Sequence, residues 1–183
     1  GGFPSLERIG LHECELTKVT LQSLPELRML DVVLTPTADV VVERLDTIRA
    51  LNINYSSLDP VVGTLSLDLL PRLEILDCVG SEHHLERITN VPRLRELRIG
   101  DSLSDSGLSS LSRFVSLRRL NLRLSTPKVT REGVQNIGLL SDLRRLQLGL
   151  DSGVVPSDFF AFLARLHELE ELSISGDIQG DIV

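Results

Sequence analysis

The 183-residue sequence predicts an α/β solenoid, a curved horseshoe arc of about eight coils with a parallel sheet on its concave side and short helices and loops on its convex side. Three observations predict it. The stretch VPRLRELRIG carries a Leu-x-x-Leu-x-Leu spacing that recurs from Leu6, Leu27, Ile48, Leu73, Leu94, Leu117, Leu143 and Leu169, at steps of 21, 21, 25, 21, 23, 26 and 26 residues. Leucine supplies 37 of the residues while aromatics make up 3% and tryptophan is absent, so the core must be built from stacked aliphatic side chains. Eight residues after each first position stand Cys14, Thr35, Ser56, Ser81, Ser102, Ser125, Asp151 and Asp177, small hydrogen-bonding residues suited to the turn that leaves each strand.

A period of about 20–29 residues with this pattern is the signature of a leucine-rich repeat. Each motif predicts one short strand whose apolar positions point into the core and whose intervening residues face solvent. In order, the inward sets are Leu6, Ile9 and Leu11; Leu27, Leu30 and Val32; Ile48, Leu51 and Ile53; Leu73, Leu76 and Cys78; and Leu94, Leu97 and Ile99. The last three repeats supply Leu117, Leu120 and Leu122; Leu143, Leu146 and Leu148; and Leu169, Leu172 and Ile174. On the convex side, short helices fit Asp39 to Leu45, with DVVVERL, and His83 to Val91. Better signals come later. Ser104 or Asp105 can cap a helix through Phe114, Thr130 one through Leu140, and Pro156-Ser157 opens one through Leu166. In the last, Phe159, Phe162, Leu163 and Leu166 share a face that Phe160 does not.

Charge and special residues bound the function. A net charge of −7 argues against nucleic-acid and anionic-membrane partners, which need a basic footprint to displace counterions. Seventeen of the 19 basic residues are Arg, the type enriched at interfaces for its planar bidentate contacts. Cys14 and Cys78 cannot form the paired cysteine caps of secreted repeat proteins, so reduced thiols in an intracellular protein, cytoplasmic or nuclear, are expected; the single sequon Asn54-Tyr55-Ser56 points the other way. These residues carry no secretory leader, no apolar run of membrane length and no lipidation signal. Eight repeats leave room for one domain, residues 1–183, and neither terminus reads as a polar capping unit, so a piece of a longer chain is expected.

No catalytic constellation emerges. His12 falls on the concave face of the first repeat, His83-His84 open a convex segment beside Glu82 and Glu86, and His167 leads into the eighth strand. On the repeat lattice they lie too far apart to share a metal, and no Cys stands at ligand spacing from the adjacent pair. Gly100, Gly149 and Gly176 follow strands singly rather than forming a phosphate-cradling loop, and no Ser sits in a nucleophile elbow. Neither an enzyme nor a cofactor is expected.

The solvent-facing strand positions therefore carry the functional prediction. The second to fourth repeats present Met29, Val33, Ile75 and Val79, with Tyr55 close by and Asp31 and Asp77 between them, an apolar contact surface where the pattern expects wet residues. The fifth to seventh present Arg98, Arg119, Arg123 and Arg145 at neighbouring strands. Unless Glu96 and the acidic excess neutralise them internally, these arginines suit a partner protein with an acidic or phosphorylated segment.

LERIGLHECELT, Leu6 to Thr17, resembles the L-x-x-L-x-L-x-x-C-x-x-T core of the cysteine-containing repeats of F-box proteins. The stretches from Ser104 to Leu122 and from Val129 to Leu148 resemble the T-D-x-G-L-x-x-L helix lead and strand of the same subtype. The cysteine itself recurs only at Cys14, and FPSLERI, LPELRML and LPRLEIL are equally similar to the irregular repeats of plant intracellular immune receptors. The first resemblance implies a substrate-recognition domain of a ubiquitin-ligase receptor. The second implies the sensing domain of an immune receptor; in both, the repeats bind a protein.

Overall fold

The computed structural model describes residues 3–12, 14, 16–22, 24–35, 38–43, 45–55, 65–68, 70–78, 85, 88–125, 128–151, 153–154, 158–176 and 178–179. The chain divides into two compact units, Gly1–Leu94 and Arg95–Val183. Each is a stack of leucine-rich repeats in which every repeat gives one strand to that unit's main parallel sheet.

In the first unit, β1 (Arg8–Leu11), β3 (Met29–Leu34), β5 (Ala50–Tyr55) and β7 (Ile75–Cys78) pair in that order. The register matches the repeat lattice, with Arg8, Met29, Ala50 and Ile75 side by side. In the second unit, β8 (Glu96–Leu103), β9 (Arg119–Leu124), β10 (Arg145–Leu150) and β12 (Glu171–Ser175) do the same, aligning Glu96, Arg119, Arg145 and Glu171. The inward residues of the second to seventh repeats are at most 3% exposed. Each such leucine contributes on the order of 1.5–3 kcal/mol by leaving water, which is why so few aromatics suffice. The outer repeats differ: Leu6, Ile9, Leu11, Leu169 and Ile174 are half-buried and Leu172 is 41% exposed, because they pack against a neighbouring repeat on one side only among the described residues.

Within each unit a bifurcated backbone contact sets the register of every step. The carbonyl of the residue after the first leucine accepts two N–H groups of the next repeat, as Arg95 does from Arg118 at 2.8 Å and Arg119 at 2.9 Å, and Arg118 from Arg144 and Arg145. The small residues after the strands behave as the turn chemistry requires: Thr35 Oγ1 donates to the Leu16 carbonyl at 3.3 Å, and the N–H groups of Ser125 and Asp151 donate to the carbonyls of Leu103 and Leu124. Ser56, Ser81 and Asp177 lie outside the described residues. Ser102 departs from the expectation. It lies inside β8 and pairs with Arg123, because β8 takes four steps from Arg98 to Ser102 where β9 takes two from Asn121 to Arg123. Gly100 therefore does not share a row with Arg123 as equal spacing implies.

The two units return their chains differently. Asp39 to Leu45, expected to be helical, contains β4 (Asp39–Glu43) instead, paired in parallel between β2 (Lys18–Leu21) and β6 (Leu65–Asp68). Two causes act together. Val40, Val41 and Val42 are β-branched and stiff, and Val40 and Val42 alternate into the core at 0% exposure. The steps among the first three repeats are also only 21 residues, and an extended segment spans roughly 3.3 Å per residue against about 1.5 Å for a helix. An extended return suits these short steps, although the 21-residue step from Leu73 to Leu94 holds the helical Leu85 and the extended β6 lies in the 25-residue step from Ile48 to Leu73.

The second unit has longer steps and builds helices. α1 (Asp105–Leu111) is capped by Ser104 and buries Leu108 and Leu111; α2 (Arg131–Val134) is capped by Thr130, whose hydroxyl accepts from the Gly133 N–H. The segment expected to run from Thr130 to Leu140 as one helix breaks after Val134 and resumes as a 3-10 turn at Ile137–Leu139. The last return is a 3-10 helix, Phe159–Arg165, followed in sequence by β12; β11 (Gly153–Val154) pairs with β13 (Ile178–Gln179). Phe160 is buried at 5% exposure, its ring edge-on to Phe159 at 5.3 Å between centroids, so the residue off the predicted apolar face is wedged into the core. In the predicted His83–Val91 helix only Leu85 and the residues from Ile88 onward are described, and Leu85 is helical and buried.

Candidate functional site

On the first unit's sheet, strand pairing brings Met29, Ala50 and Ile75 into one row. Small Ala50 stands between the two larger apolar side chains; Ile75 is 40% exposed, while Met29 is half-buried. The next row runs Gly10, Asp31, Asn52 and Asp77. His12 Nε2 lies 3.5 Å from Asp31 Oδ2, and Asn54 Nδ2 donates to Asn52 Oδ1 at 2.7 Å, so this row is polar and internally bonded. Val33 is half-buried beside Asn54. Tyr55 ends β5 with its backbone opposite Leu34, and Val79 lies outside the described residues.

The second unit brings the four predicted arginines onto one sheet and gives each a carboxylate. Glu96, only 9% exposed, takes Arg98 Nη2 at 2.8 Å on one oxygen and Arg119 Nη1 at 3.3 Å on the other. Arg145 Nε meets Glu171 at 3.2 Å, and Arg123 reaches Asp151 at 3.9 Å. Gly149, the register partner of Arg123, matters here: a Cβ at 149 would stand 3.2 Å from Arg123 Cγ, so its absence leaves the arginine stem room to lie across β10 toward Asp151. Between these rows Asn121 Nδ2 donates to Gln147 Oε1 at 3.0 Å. Among the shallow depressions over this unit's described residues are one of about 340 Å³ over the row from Glu96 to Glu171 and one of about 380 Å³ over Arg123, Gly149 and Ser175. Intramolecular pairing thus meets the charge of these arginines that an acidic partner was expected to meet.

A further row escapes a reading confined to strand positions. The residue directly after the first leucine is charged in all eight repeats: Glu7, Arg28, Arg49, Glu74, Arg95, Arg118, Arg144 and Glu170. Within each unit this row forms a rim where the chain turns into each strand. Arg28 pairs with Glu7 at 4.0 Å, Arg49 with Glu74 at 3.5 Å, and Arg144 with Glu170 at 2.7 Å. Uniform charge at that single position was the available signal. The acid excess is also uneven, since residues 1–94 hold eight Arg and Lys against fourteen Asp and Glu and residues 95–183 hold eleven against twelve.

Cys14 Sγ, near His12, donates to the His12 backbone carbonyl at 3.3 Å rather than to its ring, so no nucleophile–base contact forms there. Cys14 and Cys78 are both free thiols, Cys78 buried. Among the described residues no three His, Cys, Asp or Glu side chains gather as a metal-binding group; His83 and His84 lie outside them. No helix among the described residues is long and apolar enough to cross a membrane.

No protein-family model matches the sequence. Among solved structures, the chain is similar to an internalin from Listeria monocytogenes, at 15% identity and a TM-score of 0.46, over 86% of this chain and 57% of that one.

Proposed function

We propose that this chain is a non-enzymatic protein-interaction module that binds another protein through the solvent-facing side of its strands. The observation that carries this reading is Ile75, 40% exposed in a row with Met29, on a sheet whose inward residues from the second to the fourth repeat are at most 3% exposed. An apolar side chain spent on the wet face of a repeat lattice contributes nothing to the core and marks a contact. On the second unit, Arg98, Arg119, Arg123 and Arg145 offer pre-positioned polar contacts rather than bare charge, with Asp31 and Asp77 as their acidic counterparts on the first. The partner is a protein, with an acidic or phosphorylated segment where it meets the arginines, and not a nucleic acid or a membrane.

The motif around Cys14 and Thr17 and the capped lead from Ser104 to Leu111 favour the substrate-recognition part of an F-box-like ubiquitin-ligase receptor in the cytoplasm or nucleus, and the two free cysteines accord with a reducing compartment. The LPELRML and LPRLEIL leads support the second reading, a sensing domain of an intracellular immune receptor. Affinity capture from cell extract tests the shared core of both. Partners should be retained by wild type and by a Val115→Arg control, which changes an exposed residue ahead of β9, and lost from Ile75→Arg or Arg119→Glu/Arg123→Glu. Identical partner sets for all four proteins, with matching circular dichroism, would refute binding by this face.

A further inference from the structure

Of the eight rim residues that follow the first leucines, six neutralise one another in three pairs: Glu7 with Arg28, Arg49 with Glu74, and Arg144 with Glu170. The remaining two, Arg95 and Arg118, are consecutive in the row and exposed, and among the described residues neither meets a carboxylate. Their backbones are locked side by side, since the Arg118 N–H donates to the Arg95 carbonyl at 2.8 Å, so their stems start about one strand spacing apart, ~5 Å. Nearby acids are committed elsewhere: Glu96 to Arg98 and Arg119, Glu170 to Arg144. Two adjacent like charges without a counterion repel, and among the described residues their guanidinium groups hold no hydrogen bond or ion pair.

We propose that Arg95 and Arg118 are the docking point for a carboxylate-rich segment of the partner protein, lying across the strands along this rim. The inference rests on the interaction-module reading and deepens it by naming the partner's chemistry and a position for it outside the predicted arginine set. The row itself argues for carboxylate. Wherever else on this rim an arginine is neutralised, a glutamate in the neighbouring repeat does it, so a partner's Asp or Glu would complete at Arg95 and Arg118 the ladder that the chain completes elsewhere. A guanidinium fork takes a carboxylate with two parallel hydrogen bonds, which fixes direction as well as charge.

The test is fluorescence anisotropy on the full 183-residue chain, with fluorescein-labelled peptides alternating Glu and Ala, Gln and Ala, or phosphoserine and Ala. The Glu peptide should bind and the Gln peptide should not, and added salt should weaken binding steeply. Arg95→Gln/Arg118→Gln should lower affinity roughly tenfold, whereas Arg28→Gln/Arg49→Gln, rim arginines already paired with Glu7 and Glu74, should change it less than about threefold. All four residues are exposed, and thermal melts should show both variants folded. Equal loss in the two variants, tighter binding of the phosphoserine peptide, or no binding of the Glu peptide would each overturn the proposal. In any of those cases, capture of a partner that Ile75→Arg abolishes would leave the interaction-module reading standing.

Discussion

Gly133→Ala is the substitution whose sign depends most directly on one contact between repeats. Asp105, the first residue of α1, accepts from the Thr130 N–H at 2.8 Å and from Thr130 Oγ1 at 2.7 Å, and Thr130 in turn caps α2 through the Gly133 N–H at 3.1 Å. A Cβ at 133 would run into the Asp105 carboxylate and stand 3.2 Å from its Cβ. The carboxylate can swing away, so the cost is the loss of its two bonds to Thr130 rather than a rigid clash. The site is exposed, which limits each bond to about 0.5–1 kcal/mol. Alanine returns roughly 0.5 kcal/mol of helix propensity, less than its full value because α2 is a single turn. The expected balance is a destabilisation of about 1 kcal/mol, a fall in Tm of about 2–4 °C for a chain of this length. With Asp105 already replaced by Ala there is nothing to displace, and the same change at 133 should be neutral or stabilising by about 0.5 kcal/mol. Thermal or urea melts of wild type, Gly133→Ala, Asp105→Ala and the double variant measure the cycle. Equal destabilisation by Gly133→Ala in both backgrounds, or stabilisation in the wild type, would refute the account.

Two further outcomes follow from the same unit. Gly176 closes the turn after β12 at φ +141°, and a Cβ there would meet the Leu150 carbonyl, so Gly176→Ala should cost about 1–3 kcal/mol in urea unfolding; an unchanged midpoint would show that the turn relaxes freely. Glu96→Gln removes the carboxylate shared by Arg98 and Arg119 and should destabilise by roughly 1 kcal/mol at low salt. That difference should shrink as screening weakens the repulsion left behind, and a difference insensitive to salt would mean that packing of the Glu96 stem, rather than its charge, is what matters.

Much of the architecture was legible because the repeat restates it eight times. The Leu-x-x-Leu-x-Leu lattice located the strand that carries the inward leucines of each repeat, its inward side chains and its register except at the bulge after Arg98, since a period-2 strand held in a hydrophobic stack has only one face that can be buried. The caps at Ser104 and Thr130 were legible for a similarly local reason: a side-chain oxygen satisfies an amide two or three residues away, and both residues lie in one short window. The return segments were not legible in this way. DVVVERL carries both a helical spacing of apolar residues and a run of β-branched ones, and the choice fell to the strand because Lys18–Leu21 and Leu65–Asp68 supply neighbours on both sides. Propensity is a weak prior against two ladders of hydrogen bonds.

For the candidate site, position in the repeat already places Arg98, Arg119 and Arg145 in their rows on the sheet, whereas Arg123 stands opposite Ser102 rather than Gly100 because of the bulge in β8. Which of those charges are already neutralised depends on contacts made by the folded chain. Pairing depends on what lies about 5 Å away on the neighbouring strand, some 21 to 26 residues off in the chain, and on side-chain reach that spacing does not encode. That geometry commits Glu96 to two arginines and Glu171 to Arg145, pairs the rim at three places, and leaves Arg95 and Arg118 facing water without a carboxylate among the described residues.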